Sequence, residues 1–436
     1  MKKFKKSLAV VLTLAMVVAS MTGCKKDKVE NVDTKDTDTT VVTPGAESTP
    51  VPEKVVVQDV TLKVWASEEE QEVMTANCEA FAVAHPEYNL TFEYAVIGNA
   101  EACDELKKDL EIAADVFVYP SAAIPELKAA GILYPITIED AEVVKQSNGA
   151  GAITACTSDD LLYGVPQSPN SWFMYYNKSL FTQDDIKSVE AMLAKDLGDG
   201  VSNFSCKISD SWFMSAYFYA LGGTLYGTDG TDPTSCSWND ANGLKVGNYL
   251  INLSKNIKYV EDIDGIASSL FKEGKLGAVC SGTWSAVDFK AALGDNYGAT
   301  VLPTINVEGT DYQLSNFADF RAFGVKSNTA YPIPAQQLAC FLGNEQSQLA
   351  TYVDQGIAPS VSSLAQNEIV AADLAVTALL QQSNYSTPQP STPQLSEYWN
   401  PAIAFGTGII NGDITEANLQ ESLDAMVKSF TTKLVE

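Results

Sequence analysis

The 436-residue chain contains one histidine, His85, and one arginine, Arg321. A single imidazole leaves little room for acid–base catalysis of the usual kind. No Cys/His cluster has metal-ligand spacing. Positive charge is scarce, with 28 Lys and Arg against 55 Asp and Glu and a net charge of −27. That excludes the basic surface that nucleic acid requires. A bilayer-spanning run of about 18–20 apolar residues is also missing, since the uncharged stretch from Leu8 to Ala19 is shorter. Eight cysteines are present but no CxxC. Setting Cys24 aside leaves Cys78, Cys103, Cys156, Cys206, Cys236, Cys280 and Cys340, an odd number at irregular spacing. They read as mostly buried thiols, not as a disulfide framework.

What is there begins with an address. Lys2, Lys3, Lys5 and Lys6 precede the apolar stretch, and Ser20-Met21-Thr22-Gly23-Cys24 follows it. That order is a bacterial secretory signal over residues 1–23. Its end resembles a lipobox, with Cys24 as the residue that takes the lipid. Residues 24–57 comprise this Cys and a stretch rich in Lys, Asp, Glu, Thr, Val and Pro without aromatics. The composition predicts a disordered tether. Cleavage would remove four lysines and no acid, so the surface would repel anionic lipid and the acyl chains would do the holding.

From about residue 58 the remaining chain is long enough for two domains with large cores. Residues 60–65 and 90–96 alternate as strands, 115–119 reads as a short buried strand, and 68–85, 100–113 and 124–130 carry helical patterns. The helix over 68–85 is expected to bury Val73, Met74, Phe81 and Val83. This alternation predicts an α/β fold with a mostly parallel sheet. Residues 172–300 read as helix-rich, with a buried helix over 211–221 ending at Gly222-Gly223. Helices dominate again from Pro334, interrupted by a Pro-rich stretch over 386–393. Asp229-Gly230-Thr231-Asp232 lacks the spacing of a calcium loop and reads as a surface turn.

Several segments carry a resemblance when taken in order. They are Leu62-Lys63-Val64-Trp65, Ala114-Asp115-Val116-Phe117-Val118-Tyr119, Gly131-Ile132-Leu133, Met174-Tyr175-Tyr176-Asn177-Lys178 and Ser281-Gly282-Thr283-Trp284. Thr300-Val301-Leu302-Pro303 follows, then Pro390-Ser391-Thr392-Pro393-Gln394-Leu395-Ser396-Glu397-Tyr398-Trp399. Together they resemble the family 1 extracellular solute-binding proteins, in particular the maltodextrin-binding branch serving carbohydrate ABC importers. The resemblance implies two α/β lobes joined by a three-pass hinge, with sugar bound in the cleft between them. It implies no enzyme activity and no cofactor. The implied partners are a malto-oligosaccharide, an ABC permease with its ATPase, and the outer face of the membrane through the lipid. A monomer is expected. Residues 58–171 plus 302–343 are assigned to the N-terminal lobe and 172–301 plus 344–436 to the other.

A pyranose offers apolar C–H faces and a rim of hydroxyls, so a site needs flat aromatic platforms and a few polar groups. By the motif match the platforms are Tyr119, Trp212, Trp284 and Trp399, with Trp65 near the cleft floor. The rim candidates are Glu68 or Glu69 after the first strand, and Asn170. Trp172 is either an added platform or hinge packing. Arg321 either grips paired hydroxyls or pairs with Asp319. The family's Asp-Arg pair is replaced here by Ser121, Ala122 and Ala123. Xylo-, galacto- or manno-oligosaccharide on the same scaffold is the main alternative. A starch-capturing surface lipoprotein and a glycoside hydrolase with two flanking carboxylates are weaker ones.

Overall fold

The computed structural model describes residues 57–431. The secretory segment, Cys24 and nearly all of the tether lie outside the described residues. Strand Gln58–Ala66 runs parallel to Tyr88–Val96 along its whole length and parallel to Val116–Pro120 at Val64 and Trp65. Val60, Leu62 and Val64 point into the core, as their alternation requires. Helix Gln71–Ala84 makes the crossover and buries Val73, Met74, Cys78 and Phe81. It begins after a turn over residues 68–70. Val83 is 83 % exposed and does not join the buried face expected of it. The helix expected over 100–113 contracts to Ala102–Lys108.

The parallel pattern stops at Val116–Pro120. Strand Phe317–Val325 pairs antiparallel with it and also with Val165–Asn170, and its first residues pair parallel with Thr387–Pro388. The second sheet runs in the order Tyr297–Thr300, Phe173–Asn177, Leu276–Ser281, Ser202–Ser205. Only its last pair is parallel. The expectation of a mostly parallel architecture therefore holds for the opening unit alone. Strand Phe317–Val325, which follows the hairpin Thr304–Val307 and Thr310–Gln313, enters antiparallel to Val116–Pro120.

Two sheets give separate cores. One gathers Leu62, Phe81, Phe117, Tyr119, Val165 and Leu338. The other sheet carries a core on each face, with Trp172, Met174, Phe218 and Trp238 in one and Phe173, Tyr175, Phe271 and Phe289 in the other. The fold is thus α/β and two-lobed. Leu302, Ile305, Val307 and Leu314 sit in the core with Phe218 and Trp238, because the hairpin Thr304–Val307 and Thr310–Gln313 packs there. We accordingly place the second crossing near Ser315 and Asn316, after this hairpin, and not at 302.

Asn316, fully buried, ties the passes between lobes. Its amide nitrogen donates to Ser171 Oγ at 2.8 Å and to the Trp172 carbonyl at 2.5 Å. Its amide oxygen accepts from Gln382 at 3.0 Å and Ser386 at 2.7 Å. A buried amide uses its full hydrogen-bonding capacity this way. The seven cysteines among the described residues are free, and five are buried. No described helix is long and apolar enough to cross a membrane.

Candidate functional site

Between the lobes lies a cavity of about 560 Å3. Asp210, Ser211, Trp212 and Trp399 line one side, Asn99, Lys107 and Glu126 the other, and Asn170 and Asp319 are among the residues closing it near the hinge.

Trp212 is held by the start of helix Ser211–Ala220. Asp210 caps that helix, its carboxylate accepting from the Trp212 N–H at 2.8 Å. Met214, Ala216, Tyr217 and Phe218 anchor the helix in the core, which leaves Trp212 half-buried at its cavity end. Trp284 sits in the turn Thr283–Ser285 after the fully buried strand Leu276–Ser281. Its ring lies against Gly282, where a Cβ would come within 1.9 Å of it. Trp284 is 48 % exposed and stacks on Trp212 with centroids 6.0 Å apart and planes 29° apart. Trp399 lies in the first turn of helix Ser396–Asn411, with Phe317 and Tyr398 against it edge-on. The Tyr398 hydroxyl donates to the Ser211 carbonyl at 2.8 Å, linking the two tryptophan-bearing helices.

Of the expected platforms, Trp212 and Trp399 line the cavity, and Trp284 does not line it but stacks on Trp212; the other aromatic candidates are buried elsewhere. Tyr119 is fully buried and spends its hydroxyl on the Tyr163 carbonyl at 3.0 Å. Gly164 and Gly324 press close to its ring, so no face is open to a sugar. Trp65 is in the same core, packed near Phe117. Trp172 is fully buried with its ring 4.7 Å from Phe213. Buried on all sides in the second lobe's core, it offers no ring face as a platform.

Glu68 and Glu69 are exposed in a turn and do not line the cavity. Their neighbour Glu70 turns inward instead. Arg321 pairs with it at 2.6 Å and not with Asp319, and Gln167 at 3.1 Å and Ser67 at 2.9 Å add hydrogen bonds to Glu70. Burial works to raise the Glu70 carboxyl. The Arg321 charge and the hydrogen bonds outweigh it and hold the carboxyl below its ordinary range.

Asp319 is buried and accepts from Ser121 Oγ at 2.6 Å, the Ala122 N–H at 3.0 Å and Asn170 Nδ2 at 3.2 Å. Burial raises its carboxyl, and the bonds from Ser121, Phe320, Asn170 and Ala122 only partly offset this. Ser121 and Ala122 thus cradle an acid supplied by another strand. Asn170 reaches the cavity, as expected, with Asp319 as its partner.

Sequence reasoning missed the far wall. Lys107 is bonded to Asp104 at 3.1 Å and to Glu126 at 2.8 Å. The i,i+3 spacing of Asp104 and Lys107 was a readable signal, but the contact with Glu126 joins two separate helices. Cys103 also stands at this wall, and burial pushes its thiol up to about 12, which disfavours the thiolate. Among the described residues no group of His, Cys, Asp and Glu could hold a metal. Asp229 accepts from the Thr231 N–H and hydroxyl in a local turn, as expected.

Comparison with known proteins places this geometry. The galactooligosaccharide-binding protein of Bacillus subtilis (strain 168) is 26 % identical over 377 residues, 83 % of this chain and 87 % of that protein. The maltodextrin-binding protein MdxE of the same organism is 24 % identical over 311 residues, 67 % of this chain and 73 % of that protein. The solved structure of maltodextrin-binding protein MalE1 from L. casei BL23, without ligand, has a TM-score of 0.75 at 26 % identity, covering 86 % of this chain and all of that one. The family described as bacterial extracellular solute-binding protein matches residues 76–378. With that match spanning most of the chain, and a two-lobed fold around a tryptophan-lined cleft, this chain belongs to the bacterial extracellular solute-binding proteins, binding subunits of importers and not enzymes.

Proposed function

We propose that this chain is the lipid-anchored receptor of a carbohydrate ABC importer and takes a malto-oligosaccharide between its lobes. The observation that carries the reading is the pair Trp212 and Trp399 lining one cavity, with Trp284 stacked on Trp212. Aromatic rings at a cavity wall suit the apolar faces of pyranose units, and they supply that area at low entropic cost. The relatives named above bind maltodextrin or galactooligosaccharide, which supports an oligosaccharide. The Pro393-Gln394 to Trp399 stretch favours the maltodextrin side. Closure of residues 58–171 with the strand Phe317–Val325 onto the second sheet's lobe would bury the sugar and create the form a permease and ATPase pair receives. Cys24 would hold the receptor at the outer face of the membrane.

The galactooligosaccharide-binding relative favours a second reading, because its match extends over more of the chain than that of MdxE. Calorimetric titration of residues 58–436 with maltotriose and with β-1,4-galactotriose separates the two. Maltotriose binding alone supports the proposal. Galactotriose binding alone keeps the receptor and changes its sugar, and silence toward both removes the oligosaccharide reading. Mass spectrometry of the membrane-bound protein, looking for a diacylglyceryl group on Cys24, tests the anchor.

A further inference from the structure

We infer that Asp104, Lys107 and Glu126 form the hydroxyl-reading rim of the sugar site, facing the tryptophans from the opposite lobe. The inference rests on the oligosaccharide reading above and assigns its polar half.

The three side chains line the same cavity as Trp212 and Trp399. Lys107 sits between the two acids, its Nζ 3.1 Å from Asp104 and 2.8 Å from Glu126. The resulting order, carboxylate–ammonium–carboxylate, alternates acceptor, donor, acceptor. Vicinal sugar hydroxyls present the complementary alternation, since each hydroxyl both donates and accepts. Two of the ammonium's three N–H groups face the acids, and each carboxylate has a second oxygen, so the row can bond a ligand without dissolving itself. Hydrogen bonds to charged groups are the stronger kind.

The row is also preorganised. Lys107 and Glu126 are partly buried, at 34 % and 25 % side-chain exposure. Burial works against the Lys107 ammonium, but the two carboxylates outweigh it and keep it protonated. Asn99 adds an acceptor on the same wall whose Oδ1 is buried with no protein donor. No other Lys, and not Arg321, lines this cavity. Arg321 is committed to Glu70 behind it.

A purely structural role, clamping helix Ala102–Lys108 to helix Ile124–Ala129, makes a different forecast. Kd is measured by calorimetry for maltotetraose and β-1,4-galactotriose on wild type, Lys107→Met, Glu126→Gln and Lys272→Met. Lys272 pairs with Asp288 away from the cavity and serves as the charge control. The expected result is a Kd raised at least tenfold by Lys107→Met and several-fold by Glu126→Gln. Lys272→Met should leave it unchanged, and thermal midpoints should move little in all three. Wild-type binding with a Kd in Lys107→Met and Glu126→Gln within twofold of wild type would overturn the rim alone. Wild-type silence toward both sugars would overturn it together with the oligosaccharide reading. Should Lys107→Met fail to fold, the isosteric Glu126→Gln decides by itself.

Discussion

Gly282 shows how a single missing methyl can place a functional ring. Its φ of −102° suits any residue, so the glycine is not needed for backbone conformation. It is needed because the Trp284 ring occupies the space of a Cβ. Gly282→Ala should fold normally yet push Trp284 off Trp212, weakening oligosaccharide binding about tenfold, or ~1.4 kcal/mol, in a calorimetric titration. Glu70 and Arg321 illustrate the opposite case, a buried pair whose loss is felt in stability. Glu70→Gln leaves the Arg321 charge without its counterion and is expected to cost about 3–5 kcal/mol in denaturant unfolding at neutral pH. The sign of the pH effect follows from the lowered Glu70 pKa. Its stabilising contribution is complete above the unfolded-state value of about 4.3 and is lost as pH falls through the lower folded value. Thermal midpoints measured below pH ~4 should therefore decline more steeply for wild type than for the variant.

At the scale of elements, placement of the site depends on helix ends. Asp210 caps the helix that carries Trp212, and its removal frays the turn that carries the ring. Asp210→Ala should cost about 1 kcal/mol in stability and raise the sugar Kd more than a cap at a distant helix would. Asp373, which caps Leu374–Gln382 away from this cavity, provides the comparison by the same two measurements. Elements of this local kind were legible in the sequence. The helix over Ser211–Ala220 announces itself in its own apolar density, Trp284 and Trp399 were found through the motif resemblance, and Trp212 and Trp399 both line the cavity. Tyr119 was misjudged because strand Val116–Pro120 is covered on both faces, a fact set by Gly164 and Gly324 far along the chain. The Glu126 end of the Asp104–Lys107–Glu126 row was not legible for a related reason. Its two helices, Ala102–Lys108 and Ile124–Ala129, are separated along the chain by strand Val116–Pro120. Arg321 finding Glu70 and not the nearer-in-sequence Asp319 follows from the strand pairing that sets it opposite Pro120 and Ser168.

For the whole molecule the decisive feature is the junction between lobes. Asn316 bonds to groups at Ser171, Trp172, Gln382 and Ser386, so lobes that turn about this junction turn about a satisfied polar knot. Small-angle scattering should show a smaller radius of gyration with bound oligosaccharide than without it. Asn316→Ala orphans several buried partners, at about 1–3 kcal/mol for each one left unpaired. It should lower the unfolding midpoint while the sugar-free scattering curve broadens.

The distribution of indole side chains has a further consequence. The chain has six tryptophans. Trp65, Trp172 and Trp238 are locked in cores, Trp212 and Trp399 line the cavity, and Trp284 stacks on Trp212. A ligand that enters between the lobes should therefore change the ultraviolet emission of Trp399 and the stacked Trp212–Trp284 pair over a steady background from the buried three, and titrating oligosaccharide against that emission, without a dye or a label, would follow occupancy.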